Sequence, residues 1–226
     1  MAGSPDDLLL EVRYLRNIPR AIRPLTVVNR SCLVSLARQV DAVVTAGVPG
    51  DLVECGVWKG GSAFLMADRL RGLGVADRRV WMFDSFQGMP PPEAIDGERA
   101  LAWAQDVSGP RYRNNMRVSA EEVRATAVRL GLDSFVELVP GWFEETMPAM
   151  RDKIGPIAVL RIDSDWYSSV RCCLESLYEQ LATGGLVIFD DYYEYDGCAR
   201  AVHEFLWERS LPHRIDKDGC AFIRKQ

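Results

Sequence analysis

The stretch Ala158-Val159-Leu160-Arg161-Ile162-Asp163-Ser164-Asp165, with its later counterpart Leu186-Val187-Ile188-Phe189-Asp190-Asp191, decides the fold class. Each is a short apolar run ending in carboxylates, which fits a strand buried on both faces and opening at its carboxyl end. If the two strands are parallel neighbours, their acids meet at one sheet edge, where oxygen ligands can hold a hard divalent cation. Arg161, one residue before the strand end, either pairs with an acid or contacts substrate, and the structural pairing is the plainer expectation. The segment between the runs reads as a helix from Ser168 to Leu181, with Gly184-Gly185 as its C-cap and the entry to the next strand.

Upstream, further strands are expected at Leu52–Cys55, Arg79–Phe83 and Phe135–Val139, before Ile157–Ile162 and Leu186–Phe189. Helices are expected from Ser62 to Leu73 and from Ser119 to near Gly131, the latter opened by a capping box of Ser119 and Glu122. Alternating helices and strands give an α/β fold: a largely parallel sheet covered on both faces. The first 48 residues are helical in pattern, with Leu8, Leu9, Val12 and Leu15 in one stretch and Leu33 to Val44 in another, parted by Pro24. From Gln87 to Asn115 the pattern dissolves, and a connection of that length reads as a lid over the site, mobile without ligand. The chain is therefore expected to be a single domain, 1–226, with an N-terminal helical extension (1–48) and a lid insertion (87–115).

Composition narrows the function. A formal net charge of -5 provides no basic field for nucleic acid, and no apolar run reaches the roughly 20 residues of a membrane span. Six cysteines, Cys32, Cys55, Cys172, Cys173, Cys198 and Cys220, show no disulfide-scaffold or CxxC spacing and no signal peptide precedes them. They are expected to be reduced, in a cytoplasmic protein.

Two earlier strand ends carry a different signature. Glu54-Cys55-Gly56-Val57-Trp58-Lys59-Gly60-Gly61-Ser62 lies where the first strand turns into its helix; its glycines allow close approach of a ligand to the backbone. The spacing is E-x-G-x-x-x-G-G, not the G-x-G-x-x-G of dinucleotide binders. Asp84 ends the next strand, where a carboxylate can accept from ribose hydroxyls. Taken singly, Gly56 and Gly60 read equally well as turn residues and Asp84 as a loop cap. Together they point to an adenosine-containing ligand without a pyrophosphate. For the later acids, an N-cap pair at Asp190-Asp191 and a turn at Asp163 is the plainer reading. Three or four like charges at one edge are costly without a cation, which favours a metal. Of the two histidines, His203 and His213, neither is assigned to the site; Tyr167, Tyr192 and Tyr193 either stack on a ligand or pack beneath a loop.

The segments DLVECGVWKGGSA (51 to 63), VWMFDSFQGMP (80 to 90), GWFEETMP (141 to 148), VLRIDSDWYSS (159 to 169), GGLVIFDDYYEYDGCARAVHEF (184 to 205) and PHRIDKDGCAFIRK (212 to 225) resemble, in order, the macrocin O-methyltransferase family. That family uses S-adenosylmethionine and Mg²⁺ to methylate sugar hydroxyls of antibiotics. The resemblance implies a class I methyltransferase fold: a Rossmann-like, mostly parallel seven-stranded sheet ending in an antiparallel hairpin, with Leu211–Ile215 and Cys220–Arg224 as candidates for its last part. It implies a donor pocket with Glu54, Gly56, Gly60 and Gly61 at the methionine end and Ser62 with them, Asp84 on the ribose, Ser85 beside it, Trp142 near the adenine, and Asp163 also among the donor-binding residues. It implies Asp163, Asp190 and Asp191 as metal ligands. Asp163 is expected to be both ligand and general base, with Asp165 the alternative base. The expected acceptor is a glycosylated small molecule, and the expected assembly a homodimer or higher homo-oligomer. Other readings are a metal-dependent glycosyltransferase using Asp163-Ser164-Asp165 as a D-x-D motif, and a non-catalytic S-adenosylmethionine-binding protein; a nicotinamide dehydrogenase lacks its glycine spacing.

Overall fold

The computed structural model of the chain describes Tyr14, residues 18–212 and residues 214–226. Leu8, Leu9, Val12, Leu15 and His213 lie outside the described residues. Seven strands form one sheet: β1 (Asp51–Cys55), β2 (Val80–Asp84), β3 (Val136–Pro140), β4 (Ile157–Ile162), β5 (Leu181–Phe189), β6 (Asp216–Asp218) and β7 (Cys220–Arg224). Their order is β3-β2-β1-β4-β5-β7-β6. The first five pair in parallel, whereas β7 runs antiparallel to β5 and to β6.

Because successive strand residues face opposite ways, β1 sends Leu52 into one core and Val53 and Cys55 into the other. The first core is closed by helices α1 (Arg30–Thr45), α2 (Gly61–Gly72) and α4 (Ala120–Leu130), and the short α3 (Glu98–Gln105) belongs to the insertion. The second is closed by α5 (Phe143–Ile154), α6 (Tyr167–Leu177) and α7 (Asp196–Glu208). In α2, Phe64, Leu65 and Met66 are fully buried, each contributing roughly 1.5–3 kcal/mol by leaving water. The parallel sheet buried on both faces is the architecture that the apolar runs predict.

Local chemistry sets the helix ends. Asn29 caps α1 by accepting from the Cys32 amide, and Ser119 and Glu122 close the expected capping box on α4, which stops at Gly131 in the left-handed conformation. Pro24 sits in a 3₁₀ turn, Arg23–Leu25, ahead of α1.

Two boundaries differ from expectation. The helix after β4 ends at Leu177, passes through a 3₁₀ turn at Tyr178–Gln180, and β5 has already begun at Leu181. Gly184 and Gly185 therefore lie inside β5, where the β4–β5 register slips between Ile157 and Val159. A side chain at Gly185 would meet the carbonyls of Ala182 and Ala158 at 2.8 and 3.0 Å, so glycine serves a strand irregularity and not a helix cap. The hairpin strand is Asp216–Asp218, turning at Gly219; Leu211 and Ile215 instead pack against the second core.

The insertion is partly ordered by anchors to the body. Buried Asp96 accepts from the Tyr167 amide at 2.7 Å and Trp166 Nε1 donates to the Pro90 carbonyl at 2.9 Å, while Asn115 Nδ2 closes the insertion on itself by donating to the Met89 carbonyl at 3.0 Å. Between these anchors, Trp103 packs on Tyr112 and Trp166 with ring centroids 5.2 and 5.6 Å apart.

Candidate active site

Parallel strands bring their carboxyl ends to one edge, and the ladder continues one residue past each: the Gly56 amide donates to Phe83, Asp163 to Cys55 and Asp190 to Ile162, all at 2.8–3.0 Å. That edge opens on a cavity of about 780 Å³, within the usual range for a small-molecule site. Gly56, Ser62, Asp84, Ser85, Trp142, Asp163, Asp165, Asp190 and Asp191 line it. Glu54, Gly60 and Gly61 do not. A side chain at Gly60 would strike the Phe64 ring and one at Gly61 the Leu25 backbone, so both glycines serve packing between elements. Gly56 has φ +89°, and a Cβ there would lie 1.7 Å from the Asp163 carbonyl, so it lets β1 and β4 converge.

Asp84 organises the first loop. Its Oδ2 accepts from the amides of Val57 and Trp58 at 2.7 and 2.9 Å, and Oδ1 from Phe86 at 2.7 Å. A carboxylate offers about four lone-pair positions, so Oδ1 retains one for a ligand hydroxyl. Burial pushes its carboxyl up, against the three amides that pull it down. Ser85 is a turn residue, donating to Gly88 and accepting from Gln87. Trp58 lines the cavity, while its indole nitrogen is buried and has no hydrogen-bond partner among the described residues.

The acids at the β4 and β5 ends are sorted by Arg161. Its side chain is 2% exposed; Nη1 donates to Glu54 at 2.5 Å and to Asp163 Oδ2 at 2.7 Å, and Nη2 to Asp190 Oδ1 at 2.6 Å. Glu54 thus faces inward onto Arg161, where burial pushes its carboxyl up to about 8. Burial also pushes Asp163 up to about 6 against the pull of Arg161. Carboxylate oxygens of Asp163, Asp165 and Asp191 converge within 4.8 Å of one another. Burial and mutual repulsion hold Asp165 and Asp191 well above the usual carboxylate range. Asp165 adopts φ +56°, a conformation that a non-glycine residue pays for, and its amide donates to Asp191 Oδ2 at 3.1 Å. Three oxygens this close, with Arg161 reaching only Asp163 of the three acids, suit a hard cation. This grouping has Asp165 where the resemblance implies Asp190.

Of the other residues weighed, Tyr193 lines the cavity, whereas the Tyr167 hydroxyl bonds Glu204 and that of Tyr192 bonds exposed His203. Sequence reasoning missed the wall made by Leu25 to Asn29, together with Lys217 and Gly219 of the hairpin turn. Their only sequence signal is the break at Pro24 and the Asp-Gly turn, neither of which says what they face. Trp103, Arg111 and Arg113 bring the insertion to the same cavity.

Strand order, the antiparallel last pair and a ligand cavity at the carboxyl edge define a class I O-methyltransferase fold. Residues 16–225 match the macrocin-O-methyltransferase (TylF) family, and the chain belongs to it. It is 42% identical over 185 residues to the 8-demethyl-8-(2,3-dimethoxy-alpha-L-rhamnosyl)-tetracenomycin-C 4'-O-methyltransferase of Streptomyces olivaceus, covering 80% of this chain and 67% of that one. It is 39% identical over 203 residues to the demethyldecarbamoylnovobiocin O-methyltransferase of Streptomyces niveus, covering 88% and 75%. The solved structure of the O-methyltransferase NovP superposes with a TM-score of 0.78 at 35% identity, over 89% of this chain and 82% of that one. The chain is an S-adenosylmethionine-dependent O-methyltransferase. Among the described residues no helix is long and apolar enough to cross a membrane.

Proposed function

We propose that this enzyme methylates a sugar hydroxyl of a glycosylated small molecule in antibiotic biosynthesis, with a divalent cation of the Mg²⁺ kind at the β4 and β5 ends. The two curated relatives named above act, by their names, on a rhamnosylated tetracenomycin and on a novobiocin precursor. Four acids from the β4 and β5 ends, Asp163, Asp165, Asp190 and Asp191, line the same cavity as Asp84, and that gathering carries the reading.

The donor lies against Gly56, Ser62, Trp58 and Trp142, with the free lone pair of Asp84 Oδ1 on a ribose hydroxyl and Ser85 beside it. Glu54, Gly60 and Gly61 shape this pocket from behind. Asp163, Asp190 and Asp191 would hold the cation, Asp190 through the oxygen that Arg161 leaves free. When bound, the cation lowers the pKa of a sugar hydroxyl and orients it. Asp163 is tied through Oδ2 to Arg161, which suits a fixed ligand. Asp165 has no such cation partner among the described residues and is the better base for the hydroxyl proton. Holding the hydroxyl oxygen in line with the sulfonium methyl supplies much of the rate. The chain works as one domain with 87–115 as its lid, in the cytoplasm and as a homo-oligomer, which sedimentation would check.

Chelation tests the metal. EDTA should abolish methyl transfer while calorimetric binding of S-adenosylhomocysteine persists, and unchanged turnover after rigorous chelation would remove the cation from the reaction. Asp165→Asn should lower kcat by about 10²–10⁴ and leave cation affinity near wild type; Asp163→Asn should weaken cation binding itself. Loss of cation binding in Asp165→Asn, with Asp190→Asn unaffected, would exchange the roles of Asp165 and Asp190.

A further inference from the structure

Beside the acid cluster lies a second group of different chemistry, whose two cysteines have no part in the methyl-transfer reading and whose one acid, Asp190, is shared with it. Cys32 near the start of α1, Asp190 at the end of β5 and Cys220 at the start of β7 bring two sulfurs and a carboxylate oxygen within 4.8 Å of one another. The Cys220 thiol donates to Asp190 Oδ1 at 3.1 Å. Both cysteines are free and buried, Cys32 at 8% exposure and Cys220 at 4%.

The backbone is shaped to bring them together. Gly219, at φ +68° in the β6–β7 turn, passes so close to α1 that a Cβ there would lie 3.0 Å from the Cys32 Cα and 3.0 Å from the Ser31 carbonyl. Asn29 fixes the other side by accepting from the Cys32 amide at 2.9 Å. Cys32 and Asp190 also line the large cavity, so the group is reachable from it.

We propose that Cys32, Asp190 and Cys220 form a binding site for a soft, thiophilic divalent cation of the zinc kind, distinct in chemistry from the hard-cation site. Tetrahedral zinc with thiolate and carboxylate donors keeps them about 3.5–3.8 Å apart, so donors already within 4.8 Å need only a small contraction. Thiolates select soft cations and carboxylate clusters hard ones, so neighbouring sites can discriminate. On binding, two S–H bonds break, two metal–sulfur bonds form and two protons pass to solvent. Two thiolates and one carboxylate around a dication leave a net charge of about -1, which sits favourably beside Arg161, 2.6 Å from Asp190. The fourth position faces the cavity and takes water. Occupancy would draw on Asp190; if Asp190 also serves the hard cation, as the functional reading holds, zinc inhibits methyl transfer by competing for that carboxylate.

Titration of the full chain with Cd²⁺ under a phosphine reductant tests the site without reference to activity. The expected result is one equivalent bound, an ultraviolet thiolate-to-cadmium charge-transfer band, and two protons released per metal. Cys32→Ser and Cys220→Ser should each weaken binding by more than the about 10–100-fold that loss of a group behind a ligand costs, while Cys172→Ser, at a half-buried thiol elsewhere, should not change it. Having both serine variants keeps the test decisive if one folds poorly by circular dichroism. No band in the wild type, or a band that survives both substitutions, overturns the proposal. Zinc inhibition of methyl transfer in excess Mg²⁺ is the separate arm: if cadmium binds as described but zinc leaves turnover unchanged, the soft site stands and the sharing of Asp190 falls.

Discussion

Removing the guanidinium of Arg161 would leave Glu54, Asp163 and Asp190 facing one another without their counter-charge, in a region where the arginine itself is 2% exposed. Breaking a buried ion pair from one side costs about 3–5 kcal/mol, so Arg161→Met should lower the denaturant midpoint by a corresponding amount. A loss below about 1 kcal/mol in equilibrium unfolding would show that the acids already carry protons or find other partners. Glu54 gives this a pH signature. Its folded-state carboxyl is pushed from the ordinary 4.5 up to about 8 by burial, so between those values the folded chain holds a proton that the unfolded chain has lost. Its contribution to stability is complete below pH 4.5 and is lost as pH rises to about 8. Glu54→Gln should therefore flatten the fall in thermal stability across that window, and an unchanged slope would place the titration elsewhere. Gly56→Ala combines a left-handed φ with a Cβ 1.7 Å from a carbonyl, which only movement of β1 against β4 relieves. Destabilisation beyond the about 1–3 kcal/mol of a strained φ is expected.

Among the elements, the insertion is where order and freedom divide. Pro90 and Asp96 tie it down by hydrogen bonds to Trp166 and Tyr167, whereas residues 103–113 meet the body through Trp103 against Trp166 and Arg113 over Trp58. Limited proteolysis should cut within 103–113 first, and donor plus acceptor should protect it. Equal resistance along 87–115 with and without ligands would count against a lid. The capping box of α4 and the strands β1, β2, β4 and β5 were legible because local chemistry sets them: a serine with a glutamate three residues on, or an apolar run bounded by turn residues. The glycine pair in β5 was not. Gly-Gly after a helix reads as a C-cap, and it takes the bonds to Lys225 next to β7, beside the slipped pairing with β4, to assign those residues to the strand.

Across the whole molecule, Gly56 and Asp84 belong to the β1 and β2 ends, whereas the acid cluster belongs to those of β4 and β5. The two halves meet through the Glu54–Arg161 pair. S-adenosylhomocysteine at about one hundred times its Kd should raise stability by roughly 2.7 kcal/mol, and in this division of labour the thermal shift persists in EDTA; its disappearance would join the two halves into one metal-dependent pocket. Strand types, their parallel sense and the acids at their ends follow from residue order, since burial on two faces demands continuous apolar runs and a parallel sheet gathers its carboxyl ends. Folding in three dimensions had to decide which acid faces which neighbour. Glu54 turns onto Arg161 and away from the cavity, Asp165 joins Asp163 and Asp191, and Cys32 meets Cys220 across 188 positions of chain. Such pairings depend on side-chain direction and on the close approach that Gly56 and Gly219 allow, quantities that no local spacing in the chain encodes.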